Sequence, residues 1–566
     1  MNPPCPLPSP AIITVKSTGY RATGTCGWLP KFCLGAGILS LAFQVLANPT
    51  APPKSTAATP VVESKFDWSQ VPPAAPMPRP GSFIVPPSGP GYYSLWDLLT
   101  GNERKAPPVA PYAPFGLLPV SAFNVDFRYM EKPGYEKDVF DPVKRIHPNN
   151  DWLLSFGGNF WARNMRETDS RLAPGDNTYT LIRTRLHADL WYRDQVRLFA
   201  EGIDARSFGQ EKSPLNIDVN HTDILNLFAD IKVANLKDGK AYVRVGRQEL
   251  LYGSQRLIST LDWANSRRTF QGVKTFWHSP KFDLDAFWVR PMNPAAKYQT
   301  KLDTWDENRD FYGLWGTYKP QRGHFSDLYF LTLDDNRNRA VGPIFNNVTG
   351  GTVYTVGSRY AGNTNQFLYE LEGMYQFGQS YNRSLIATDI SAGAVASGVG
   401  YQFAKLPMNP QLWLRYDYAS GDKNAWDGQT NTFNQLFPFG HYYLGFLDRV
   451  GRQNIHDFNA QMTLNPQPWF TFIAQYHRFF LANSHDALYN AAGQAYRWDP
   501  TGQAGRDVGS ELDLRFNIHV NRHQDVLLGY SKLWAGDFIK HTSTTGGNGT
   551  SNVSPDLIYV QYNARF

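Results

Sequence analysis

Cysteine is nearly missing from this 566-residue chain: Cys5, Cys26 and Cys33 are its three, all close to the N-terminus. Their absence from the rest excludes thiolate zinc sites, iron–sulfur clusters, cysteine nucleophiles and stabilising disulfides. Acidic residues are absent from positions 1–62, where the only charged side chains are Lys16, Arg21, Lys31 and Lys54. Long apolar runs are scarce as well. The stretch at 32–43 is too short for a helical membrane span and no other apolar run reaches about 18 residues, and mean hydropathy is −0.42. A net charge of +6 over this length names no polyanionic partner, so nucleic acid is not expected. No G-x-S-x-G elbow, H-E-x-x-H pair or phosphate-binding loop occurs, and the 12 histidines are scattered without ligand spacing. Neither an enzyme nor a cofactor or metal site is expected.

What is present near the N-terminus reads as export. The basic flank ending at Lys31 is followed by the apolar run Phe32–Phe43 and by Val45-Leu46-Ala47, the small-x-Ala pattern of a signal-peptidase site. Residues 1–47 are therefore expected to be a signal peptide, cleaved with all three cysteines. Residues 48–114 hold 16 of the 40 prolines, a density that blocks both helix and sheet ladder. They are expected to be a mostly unstructured periplasmic segment, a linker with one local cluster at Tyr92–Leu99, for which a short amphipathic helix is the alternative. The barrel described below is expected over 115–566.

The remainder alternates with period two. Ile182, Thr184, Leu186, Ala188 and Leu190 alternate with Arg183, Arg185, His187 and Asp189; Leu412, Leu414, Tyr416 and Tyr418 with Trp413, Arg415 and Asp417. His456 to Leu464 does the same, and Phe123, Val125, Phe127 and Tyr129 look like a first strand. From Glu511 to Val520, Leu512, Leu514, Phe516 and Ile518 oppose Glu511, Asp513, Arg515, Asn517 and His519. Alternation places one face on a core and one in water, or one in lipid and one in a lumen. Five polar or ionisable groups on one face favour the lumen, because buried unpaired ions cost several kcal/mol each. The chain ends in another alternating strand, Ile558 to Phe566, with apolar residues at even positions and an aromatic last residue, a form recognised by barrel-assembly machinery. Tyr562 and Phe566 are read as that signal, with Phe566 pairing the last strand to the first near Val120. The fold expected is all-β, a transmembrane antiparallel barrel of 18 strands with long extracellular loops. The 14% aromatic content suits interfacial girdles in outer-membrane lipid.

One region concentrates polar chemistry. After the strand Ala241–Leu250, residues Arg247, Gln248, Glu249, Gln255, Arg256, Asp262, Asn265, Arg267 and Arg268 crowd beside Tyr252 and Trp263. Guanidinium forks, amides and rings together suit recognition of carboxylates and hydroxyls on a sugar chain, and equally suit an ion-pair network bracing an inward-folded loop.

Gly246-Arg247-Gln248-Glu249-Leu250, Leu261-Asp262-Trp263 and Arg268-Thr269-Phe270-Gln271-Gly272 resemble the central motif of the alginate-export family of outer-membrane porins. So do Asp417-Tyr418-Ala419-Ser420-Gly421-Asp422, Phe433-Asn434-Gln435-Leu436-Phe437-Pro438, Gly451-Arg452-Gln453-Asn454 and Val508–Leu514. The resemblance implies an 18-stranded monomeric barrel whose lumen passes an anionic uronate polysaccharide past arginines at a constriction. By motif it implies Arg247 and Arg268 as pore-facing cations, with Glu249 and Asp262 as their holding partners. Arg183, Arg185, Arg197, Arg244, Arg415 and Arg515 join them by alternation, and Arg256 by its place in the crowded loop. Glu201, Glu370, Glu372, Asp417, Asp457, Glu511 and Asp513 fall on the same inferred face, which widens the expectation to some sugar polymer or related anionic solute. The alternative is a non-conducting barrel that serves as a surface adhesin or anchor.

Overall fold

The computed structural model describes residues 66–71, 87–109, 121–125, 127–294, 301–321, 323–340, 348–381, 386–424, 427–543 and 551–566. The expected signal peptide and most of the Pro-rich segment lie outside the described residues. Eighteen strands form one closed sheet. They are β1 (Trp152–Thr168), β2 (Asn177–Tyr192), β3 (Val196–Phe208), β4 (Asn220–Leu236), β5 (Gly239–Gln248), β6 (Phe270–His278), β7 (Phe282–Asn293), β8 (Arg309–Tyr318) and β9 (His324–Ala340). The others are β10 (Val348–Thr364), β11 (Phe367–Tyr381), β12 (Ala387–Gln402), β13 (Gln411–Ala419), β14 (Ile455–Gln467), β15 (Phe470–Leu481), β16 (Asp507–Asn521), β17 (Gln524–Ala535) and β18 (Asp556–Arg565). Successive strands pair antiparallel, and β18 returns to β1 in register from Asn159↔Arg565 to Thr168↔Asp556. Closure leaves no edge, so the ladder satisfies the backbone groups that hydrocarbon could not. Among the described residues no helix is long and apolar enough to cross a membrane.

The faces are inverted relative to a soluble protein. Along β16, Glu511, Asp513, Arg515, Asn517 and His519 are buried, while Leu512, Leu514, Phe516 and Ile518 point outward. On β18, Ile558 and Val560 are about half exposed, whereas Leu557 and Tyr559 are buried. An apolar exterior around a polar interior is stable only where the surroundings are lipid. Connections alternate as well. Turns 193–195, 237–238, 365–366, 468–469 and 522–523 are short, and loops 249–269, 420–454, 482–506 and 536–555 at the opposite end are long. The short-turn end carries the C-terminus and is the periplasmic one.

Two segments before β1 bear on the expectations. The cluster expected as linker forms the alternative, a short helix α1 (Leu95–Thr100), started by Ser94, whose Oγ accepts from Asp97 N at 3.0 Å, and ended by left-handed Gly101. Phe123 to Tyr129 is no strand: Ala122–Asn124 and Arg128–Glu131 are 3₁₀ turns. The barrel begins at Trp152, so Phe566 does not pair near Val120. Its N–H donates to Gly158 O at 3.0 Å and its carbonyl accepts from Gly158 N at 3.1 Å. The apolar residues of 123–129 face other groups instead, Phe123 standing between Phe199 and Phe228 inside the barrel.

Candidate functional site

Two long extracellular loops fold into the lumen. Loop 249–269 meets loop 420–454 in a short parallel bridge between Ile258 and Phe437. Phe437 N donates to Leu257 O at 2.9 Å, Ser259 N to Phe437 O at 3.0 Å, and Phe439 N to Gln255 O at 2.8 Å. Tyr443 donates from across the lumen to Ser254 O at 2.7 Å. Phe437 also packs on Phe270 and Phe311 of the wall. Gln255, Leu261, Arg267 and Leu436 take left-handed backbone, a strained choice for such residues that persists only where the surroundings fix it. At the root of the first loop, Gly246 has φ +132°, and a Cβ there would meet Leu227 O at 2.2 Å.

Most of the arginines expected to line the pore are held in ion pairs. Arg256, 2% exposed, pairs with Glu370 at 2.7 Å and Glu372 at 3.1 Å. Burial works against its charge, and Glu370 outweighs that and raises its pKa well above the usual arginine value. Arg359 completes this cluster, bonded to Glu370 and to Asp327, each at 2.7 Å. Arg244 forks onto Asp230 at 2.6 and 2.8 Å, Arg197 onto Asp189 at 2.7 and 2.8 Å, and Arg185 reaches Glu201 at 3.2 Å. Arg183 bonds Asp262 Oδ1 at 3.0 Å and the carbonyls of Asp262 and Ala264. Arg247 holds Asp223 at 3.1 Å and the carbonyls of Ile224 and Asp303. Arg415 and Arg515 bond amides, Gln461 at 3.1 Å and Gln475 at 3.0 Å, and lie against Trp413 and Phe446.

The expected partners of Arg247 and Arg268 are a correction. Glu249 holds Arg267, and Asp262 holds Arg267 and Arg183. Arg267 is 0% exposed, and sequence reasoning counted it only as one of the crowd. Arg163, with its guanidinium 3.4 Å from the Trp263 ring centroid and bonded to Trp263 O and Gln561, was missed. Its place on the inner face of β1 was the signal that could have found it.

Arg268 differs from the ion-paired arginines. It is half-buried, and it donates to Pro438 O at 3.0 Å and Ser259 Oγ at 3.4 Å. Among the described residues no carboxylate pairs with it. Burial, and then the nearby charge of Arg309, lower its pKa to about 9, which leaves it a cation at neutral pH. Both guanidiniums lie by the Phe437 ring, Arg268 at 5.7 Å and Arg309 at 5.9 Å from its centroid. No group of three potential metal ligands occurs among the described residues.

A closed, lipid-facing barrel with loops folded into a polar lumen defines an outer-membrane β-barrel of the porin-like class. The chain belongs to the alginate export family, whose pattern matches residues 152–550, and it resides in the outer membrane. The chain is also similar, at low identity, to solved barrels. OccAB2 of Acinetobacter baumannii is 11% identical, over 73% of this chain and 98% of its own, with a TM-score of 0.48. OccK8 (OprE) of Pseudomonas aeruginosa is 13% identical, over 73% and 98%, at 0.46. The outer membrane protein OprD of Pseudomonas aeruginosa is 12% identical, over 73% and 94%, at 0.44. No curated protein matches the chain.

Proposed function

We propose that the barrel is a channel for an anionic solute of the uronate-polysaccharide class, and that Arg268 is the residue the solute meets at the constriction. The observation that carries this reading is the contrast between Arg268, bonded among the described residues only to a carbonyl and a hydroxyl, and neighbouring arginines already neutralised by carboxylates. A half-buried guanidinium without a counter-ion attracts carboxylate oxygens and offers them a bidentate fork. The surrounding ion pairs hold the loops that present it, so the other expected arginines serve as bracing. Residues 1–47 act as the export signal, Tyr562 and Phe566 as the mark read by barrel-assembly machinery, and the barrel works as a monomer. Reversal potentials in planar bilayers test the reading: anion preference and block by oligouronates are expected, with Arg268→Gln reducing both. Unchanged selectivity in a folded Arg268→Gln protein refutes the role of Arg268.

A second reading, a non-conducting anchor for surface loops, draws on the complete burial of Glu511, Asp513 and His477 in the wall beneath loop 420–454. Folded protein that stays silent in bilayers under every salt and voltage supports it over the first.

A further inference from the structure

The segment before β1 does not hang below the barrel. Phe123 sits inside it, 5.7 Å from Phe199 of β3 and 5.2 Å from Phe228 of β4, with the Arg244 guanidinium of β5 4.6 Å from its ring. Arg197 Nη2 donates to Phe123 O at 2.8 Å. Arg145 N donates to Ser155 Oγ of β1 at 3.0 Å, and the Arg145 guanidinium donates to Val71 O and Trp68 O, both at 2.9 Å. Val71 in turn packs on Leu153, Trp191 and Tyr242 of the inner wall. Lys144 Nζ donates to Phe156 O. At the rim, Arg522 of the β16–β17 turn bonds Glu136 O at 2.7 Å and the Glu136 carboxylate at 3.2 Å, and His523 bonds Asp138. These contacts follow an arc of the wall from β16 through β18 and β1 to β5, all at the short-turn end.

We propose that residues 127–147, together with Phe123, form a displaceable strap that closes the channel from the periplasmic side. The proposal rests on the channel reading above. The outer rim pair is built to let go: the Glu136 side chain is 55% exposed, and exposed ion pairs are weak and screened by salt, whereas the more buried Asp138 bonds His523 and Arg522. The inner attachments are the Phe123 ring with its carbonyl and the hydrogen bonds of Arg145 N to Ser155 Oγ and of Lys144 Nζ to Phe156 O, beside the isolated bridge of Ile146 to Leu154 at the strap's root. None belongs to the barrel's own ladder, so they can withdraw without unfolding a strand. Where one end of a lumen is filled by a segment bound in this way, the open fraction is set by the docking equilibrium.

The test uses the full chain in planar bilayers, with limited proteolysis of residues 127–151 read in parallel. Arg522→Glu sets a carboxylate against Glu136 and Asp138, and Phe123→Ala removes the inner anchor. Each is expected to raise mean current and protease cleavage together, by roughly tenfold, one factor of ten in the docking equilibrium. Joining Glu136→Cys to Arg522→Cys with a bismaleimide is expected to silence the channel reversibly when a cleavable linker is used. Unchanged current after crosslinking, or cleavage that rises while the current of a conducting protein stays constant, overturns the strap alone. A folded protein that stays silent even with the strap released overturns the channel reading, and the strap's role falls with it.

Discussion

Phe140 lies against the C-terminal Phe566, with ring centroids 5.1 Å apart and planes 28° from parallel. Phe566 is also the residue whose backbone extends the seam by bonding Gly158, so one residue finishes the sheet and carries the strap. An aromatic pair of this kind contributes about 0.5–1.5 kcal/mol beyond the area it buries. Phe140→Ala is expected to speed cleavage within residues 127–151 by up to about tenfold while leaving the barrel's unfolding midpoint unchanged. Initial proteolysis rates measure this, and equal rates in both proteins would show that Phe140 contributes nothing to docking.

The strap should also respond to pH through Lys144. Burial lowers its pKa to about 8, with Asp138 and Asp141 pulling the other way, against 10.5 for a free lysine. Its ammonium faces Phe156 O and the rings of Phe127 and Phe566. Between these two values the released segment binds more protons than the docked one, so docking strengthens as pH rises through about 8 toward 10.5. Protection from a protease active across this range should increase over that window, and Lys144→Met should flatten the profile and protect more at neutral pH. A wild-type profile that falls over the same window contradicts the sign.

The buried arginines and Arg268 should separate cleanly in a stability measurement. Removing one partner of a buried pair leaves the other charge stranded and costs about 3–5 kcal/mol. Arg267→Ala strands Glu249, and Arg256→Ala strands Glu372 while Arg359 still holds Glu370, so both should lower the urea midpoint of barrels refolded in vesicles. Arg267→Ala with Glu249→Ala should lose less than the sum of the single changes. Arg268→Gln gives up bonds to a carbonyl and a hydroxyl and strands no charge, so a loss near 1 kcal/mol or less is expected. A midpoint for Arg268→Gln as low as that for Arg267→Ala would assign Arg268 to bracing.

Adjacent arginines with such different roles show where sequence reading stops. Strand faces were legible at 182–190, 412–418, 456–464 and 511–519, because the pleat sends alternate residues to opposite sides whatever lies beyond. The same pattern at 123–129 misled, since alternation says nothing about whether a neighbouring strand exists to pair with. Arg267 and Arg268 could not be told apart either. Arg267 takes φ 57°, a left-handed turn imposed by the loop's contacts, and its side chain goes to Glu249 while Arg268 goes to Pro438 O. The pairing of Ile258 with Phe437 joins segments far apart in sequence, and only the aromatic density of Phe433–Phe439 within a long connection hinted at it.

The inverted faces give a last prediction, one that tests the lipid assignment directly. Leu514 points outward from β16, and its neighbour Asp513 is buried in the wall. An arginine on a lipid-facing position costs about 2–4 kcal/mol near the bilayer midplane. A lumen position close to an acid accepts a cation, and Asn517 already donates to Asp525 at 3.5 Å from the inner face of the same strand. Leu514→Arg should therefore destabilise the barrel in vesicles by that amount, whereas Asn517→Lys should shift the urea midpoint by less than about 1 kcal/mol in either direction. In detergent micelles, whose surface deforms around a charge more readily than a bilayer, the penalty at 514 should shrink while the value at 517 stays the same. Equal losses at the two sites in vesicles would mean that the alternation along β16 does not divide lipid from lumen.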